Sequence, residues 1–207
     1  MWKILFIKLW LLESLKTVFT ICYGLKESYE LIWESCYWKD PLLESASRLE
    51  VFSMSKNMDE SELVQIEKDM FIGFYTIRKL MDTVKIKDST KDLKVKICWS
   101  PSLKQVNYLN NYKIHDLYDL HTARYEIRTL KFLCDQFVHS YIFITQEKEM
   151  GGISGFYFTS DRDKEKKIFY VTVQDVINVF NLVGNDYPCH SYTIRDSETG
   201  ELHTKVW

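Results

Sequence analysis

Gly151-Gly152-Ile153-Ser154-Gly155-Phe156-Tyr157-Phe158-Thr159-Ser160 is the stretch at which the hydrophobic pattern of this chain changes period. Before it, apolar residues recur every three or four positions, the spacing of one helical face. From it onward they alternate, as in a half-buried strand. The glycine pair reads as a turn, residues 153–160 as a strand, 161–167 as a polar turn, and 168–173 as the returning strand of a hairpin. Residues 173–182 return to helical spacing through Val176, Ile177, Val179 and Phe180, with Gly184 as the stop. Residues 192–207 read as a closing hairpin around Ser197-Glu198-Thr199-Gly200.

Upstream of the change, helices are expected. Leu5, Leu9, Leu12, Leu15 and Phe19, then Leu25, Tyr29 and Ile32, carry one helical stripe over residues 3–35. It ends at Trp38-Lys39-Asp40-Pro41, because proline disfavours helix at the residue before it. The clearest helix runs over 59–84, on Leu63, Ile66, Met70, Gly73, Ile77, Leu80 and Val84. Asn57-x-x-Glu60 and Asp59-x-x-Glu62 both offer capping chemistry at its start. Residues 85–96 hold five lysines with Asp88 and Asp92, a solvated loop or a phosphate-binding patch, leading into a short strand at 95–99. A third long helix is expected over 114–143, on Leu117, Leu120, Ile127, Leu130, Cys134, Phe137 and Tyr141. The fold expected is therefore α+β in one domain, 1–207. An antiparallel helical bundle fills about 1–145, and a small antiparallel β-sheet with one late helix fills about 146–207. A parallel sheet is not expected, since strands do not alternate with helices along the chain.

In 207 residues, 46% hydrophobic and 27% charged content exclude wholesale disorder. Aromatics reach 15%, while 7 Gly and 3 Pro leave little room for long loops. A net charge of −2 exerts no global pull on nucleic acid, so any such binding needs a local patch. Cys22, Cys36, Cys98, Cys134 and Cys189 are odd in number, widely spaced and without a C-x-x-C pair. They read as free thiols of a reducing, cytoplasmic compartment. Lys3, Lys8, Glu13 and Lys16 interrupt the first apolar run, so neither a signal peptide nor a span of about 20 apolar residues is expected. Residues 1–20 read instead as an amphipathic helix that docks on a second copy or a partner protein, with no membrane insertion.

One segment carries candidate chemistry: Cys134-Asp135-Gln136-Phe137-Val138-His139-Ser140. On a helix, Asp135 and His139 lie one turn apart and face the same way. The carboxylate can then hold one imidazole nitrogen and leave the other for proton transfer. Phe132 and Arg128 share that face, with Arg128 about 16 Å from His139 along a helix axis. His115-Asp116-x-x-Asp119-x-His121 has metal-ligand residue types, but on a helix His121 points about 160° away from the others. It reads as a polar helix start, and no metal or cofactor is expected. G-x-x-x-x-G-K-[ST], G-x-G-x-x-G and G-x-S-x-G do not occur.

The 134–139 segment resembles the motif of the HEPN superfamily, helical-bundle proteins of bacterial defence and toxin–antitoxin systems. That motif is an arginine, a polar residue, three variable residues and a histidine. Asp135 and His139 match it, and Cys134 stands at the arginine position. The resemblance implies a dimeric, RNA-directed protein whose histidine acts on the 2′-hydroxyl or leaving group in metal-independent cleavage, with Arg78, Arg124 or Arg128 left to replace the missing cation. His139, Asp135 and Arg128 are the candidate catalytic residues on this reading. Two alternatives stay open: a non-catalytic interaction subunit docking through its first helix, and a small-molecule sensor with an aromatic pocket near Phe156, Tyr157 and Tyr170.

Overall fold

The computed structural model describes residues 32–207. By its contacts the chain divides after Trp33, and the unit Glu34–Trp207 is described below. The expected docking helix of residues 1–20, and the helical stripe as far as residue 31, lie outside the described residues.

The unit contains both helices and antiparallel sheet. Two helices come first, α1 (Cys36–Phe52) and α2 (Glu60–Met81). Asp59 and Glu62 close a capping box at the start of α2: the Glu62 N–H donates to Asp59 Oδ1 at 2.9 Å, and the Asp59 N–H donates to Glu62 Oε2 at 2.9 Å. Helix α1 runs through Pro41, where the sequence predicts a helix end. The proline lies in the second turn, where it removes the bond to the Tyr37 carbonyl and crowds that carbonyl with its ring. Burial of Leu42, Ala46 and Leu49 on one face offsets that loss. The buried carboxylate of Asp69 ties α1 to α2, taking Ser45 Oγ, Arg48 Nε and Nη2, and Gln65 Nε2.

A helical turn, α3 (Asp88–Lys91), leads into β1 (Lys94–Pro101). Where one helix is expected over 114–143, the chain forms five elements. They are the turn α4 (Ile114–Leu117), a 3-10 turn (Leu120–Thr122), β2 (Arg124–Thr129), α5 (Leu130–Val138) and β3 (Ser140–Glu147). The helical stripe is a coincidence of spacing across these elements. Only Leu130, Cys134 and Phe137 are buried members of one helix. On either side, Tyr125, Ile127 and Tyr141 to Thr145 are β-branched or aromatic residues that fit a pleated surface. The strand expected at 95–99 is β1, and with β2 and β3 it carries the sheet into the portion expected to be a helical bundle.

Then come β4 (Ile153–Ser160), β5 (Lys167–Thr172), α6 (Val173–Gly184), β6 (Ser191–Arg195) and β7 (Leu202–Val206). Gly151 and Gly152 turn β3 into β4 with φ of 90° and 82°, and backbone atoms of Lys56 and Ser53 stand where their Cβ atoms would be. The five-stranded sheet has the order β2-β1-β5-β4-β3, all antiparallel, and β6–β7 is a separate hairpin.

Much of the aromatic content forms a continuous core. Phe137 of α5 stacks on Phe74 of α2 at 4.2 Å and on Phe158 of β4 at 4.4 Å. Phe158 then meets Phe169 of β5, and Phe169 meets Phe132 of α5 edge-on at 5.3 Å. The opposite face of the sheet is covered in part by Val106, Ile114, Leu117 and Tyr118, which pack on Ile142 and Ile168.

Candidate functional site

The aromatic core surfaces in a cleft of about 860 Å³. Its walls are Arg78 from α2, Arg128 from β2, Lys131, Phe132, Asp135, Gln136 and His139 from α5, residues 160–163, and Lys167 and Phe169 from β5. Local sequence explains how these meet. Thr129 ends β2 and caps α5, its hydroxyl accepting from the Phe132 N–H at 3.1 Å, so Arg128 precedes the helix by a single cap residue. At the other end, the buried Gln136 donates to Asp163 Oδ2 at 2.7 Å and accepts from the Ser160 N–H at 2.9 Å. The His139 carbonyl accepts from the Asp161 N–H. These bonds clamp the β4–β5 turn, with Arg162, to the C-terminus of α5.

Two charge clusters line the walls. Arg78 Nε and Lys131 Nζ donate to the two oxygens of Asp135 at 3.0 and 2.7 Å. Burial alone would raise the Asp135 carboxyl, but these bonds outweigh it and hold the group below its ordinary range. In the second cluster Arg128 makes a two-pronged bond to Glu126, at 2.8 and 3.1 Å, and Lys167 adds a third at 3.2 Å. Burial again works against the charged form, and again the cations prevail, lowering the Glu126 carboxyl. The cations also cover aromatic faces: Arg128 lies over Phe132 at 4.7 Å, Lys167 over Trp99 at 4.2 Å and Arg124 over Trp99 at 5.3 Å.

Both carboxyls titrate lower in the folded chain than in the unfolded one. Their ionisation therefore stabilises the fold above their ordinary values of 3.8 and 4.5, and that stability is lost as pH falls through the lowered values. Urea midpoints measured from pH 7 to 3 should accordingly fall below about pH 4.5, and less steeply in Glu126→Gln. Superimposable profiles would show that Glu126 contributes nothing there.

The three candidate catalytic residues share this cleft, though not as a single helix would arrange them. His139 is the C-cap residue of α5 and exposed. Arg128 is on a strand. The Asp135 carboxylate is engaged by Arg78 and Lys131, so the expected Asp135–His139 pair gives way to a cation–carboxylate–cation bridge. Among the described residues, no hydrogen bond or ion pair joins the side chain of His139 or of Arg162 to another residue. Cys134, at the arginine position of the motif, is fully buried, and burial pushes its thiol far up. Sequence reading missed Lys131, Gln136, Arg162 and Lys167. The charge run Asp161-Arg162-Asp163-Lys164-Glu165-Lys166-Lys167 is the signal for the last two, and it reads as an ordinary polar turn. His115 and His121 sit in separate turns, and Asp119 accepts from the His121 N–H.

No family model, curated protein or solved structure matches the chain.

Cys134 to Val138 lie on a nine-residue helix between two strands, and His139 stands at its C-cap. Among the described residues no helix is long and apolar enough to cross a membrane.

Proposed function

We propose that the cleft binds single-stranded RNA. The observation that carries this reading is its lining: five cations, Arg78, Arg128, Lys131, Arg162 and Lys167, against three carboxylates, Asp135, Asp161 and Asp163, in a chain whose net charge is −2. A fourth carboxylate, Glu126, is taken up between Arg128 and Lys167. Cationic grooves track the phosphate backbone, and guanidinium planes and ring faces accept unstacked bases. Phe132 and Phe169 in the wall, and Arg128 over Phe132, supply such surfaces. The resemblance at Asp135 and His139 points to the same ligand class over six positions. With Asp135 held by two cations and Cys134 buried, the geometry favours binding over cleavage.

The sensor alternative has less support. The cavity bounded by Cys98, Tyr157 and Tyr170 holds about 170 Å³, and Phe156 faces the core instead. Ligand pockets are typically about 300 Å³ or more.

Anisotropy titration of a labelled single-stranded RNA tests the proposal. Binding should weaken with salt, and Lys131→Glu with Arg162→Glu should lower the log–log salt slope by about 0.7 for each phosphate that is no longer neutralised. Both side chains are exposed, so neither change disturbs the core. RNA that stays free at low salt, or that binds the double variant as tightly, would sink the proposal.

A further inference from the structure

We infer that β2 is the seam of a homodimer, in which Arg124–Thr129 pairs antiparallel with the same strand of a second copy about a two-fold axis through Ile127. The two edges of the sheet differ. The β3 edge is blunted by register irregularities at Ser140/Ile142 and Gln146/Glu147. The β2 edge has an unbroken ladder to β1 and contains neither Pro nor Gly. Apart from that ladder, no backbone hydrogen bond among the described residues reaches it. Its outer face also exposes Tyr125 at 70% and Ile127 at 71%. An edge with a regular ladder and exposed apolar side chains recruits another strand when the charges it carries are matched by that strand.

Charge selects the occupant and the register. An axis normal to the sheet keeps each side chain on its own face, so odd residues meet odd and even meet even. Centred on Ile127, the pairing sets Glu126 against the partner's Arg128, Arg128 against the partner's Glu126, and Ile127 against its own copy. Centred one residue earlier, it sets Glu126 against itself and Arg124 against Arg128, which is unfavourable. Centring on Tyr125 also matches opposite charges, but it uses only residues 124–126 of the strand. The strand is thus complementary to itself in one extended register. Glu126 and Arg128 are on the cleft face, so the pairing would bring both clefts to the same side of one ten-stranded sheet. Among the described residues nothing covers the β2 edge, and the pairing does not depend on RNA being the ligand of the cleft.

A short seam places the dimer among weak interfaces, so light scattering on the full chain at about 100 µM should give a mass moving towards twice 24.8 kDa. Ile127→Lys, at an exposed position, should return it to the monomer. Glu126→Arg should do the same, and Glu126→Arg with Arg128→Glu should restore association. Under mild oxidation Ile127→Cys should cross-link beyond the wild-type background, because residues on the axis lie about 4.5–5.5 Å apart. Tyr125→Cys should not, its copies being about 13 Å apart along the strands. A monomeric wild type, a dimer indifferent to Ile127→Lys, or equal cross-linking at the two positions would each overturn the inference.

Discussion

Cys134→Arg should lower the stability of the fold by about 4–6 kcal/mol, as oversized volume and an unpaired buried charge add together. Cys134 is fully buried on the side of α5 that carries Leu130, Leu133 and Phe137 into the core. Its carboxylate neighbour Asp135 already faces two cations, Arg78 and Lys131, so the charge of a third is left uncompensated. A loss of this size approaches the whole stability of many domains, typically about 5–15 kcal/mol. Urea denaturation should find the variant unfolded or its midpoint far below that of the wild type, while Cys134→Ala keeps a near-native one. A Cys134→Arg protein within about 1 kcal/mol of wild type would show that the position accepts the motif's arginine. RNA cleavage at His139 would then return as a reading of the site.

The next largest effect is expected at Asp69, where Asp69→Ala should destabilise by roughly 2–4 kcal/mol. The carboxylate is 4% exposed and accepts bonds from three residues, Ser45, Arg48 and Gln65, at 2.6–3.0 Å. Alanine leaves the Ser45 hydroxyl without its acceptor inside the α1–α2 interface. Arg48 is 37% exposed and can turn to water, which keeps the loss below that for a wholly buried pair. Asp69→Asn retains one acceptor oxygen and should fall between the two. A midpoint shift of Asp69→Ala equivalent to less than about 0.5 kcal/mol would mean that apolar packing alone joins the two helices.

Features that depend on neighbours in the chain are legible in the order of residues itself. The capping box at Asp59 and Glu62 is such a case, as are the turn at Gly151-Gly152 and the strand at Ile153–Ser160. Each depends on interactions within a few residues. Residues 124–147 cannot be read in this way. Their spacing suits a helix, and β2 exists only because Val95 to Trp99 pair with Arg124 to Arg128. That ladder joins segments about 30 residues apart, and no local pattern encodes it.

The candidate site divides along the same line. Sequence alone nominates His139, Asp135 and Arg128, since their types and spacing are legible one residue at a time. It cannot show that Arg78 takes Asp135 from 57 positions away, or that Lys167 reaches Glu126 across the sheet. Nor does it tell that Cys134 lies in the core. Which charges meet is decided when strands pair and helices bury their apolar faces, because a carboxylate goes to whatever cation the packing brings within hydrogen-bonding reach. Local chemistry supplied the elements of this protein; tertiary packing turned a candidate catalytic pair into a bridged, basic, aromatic cleft.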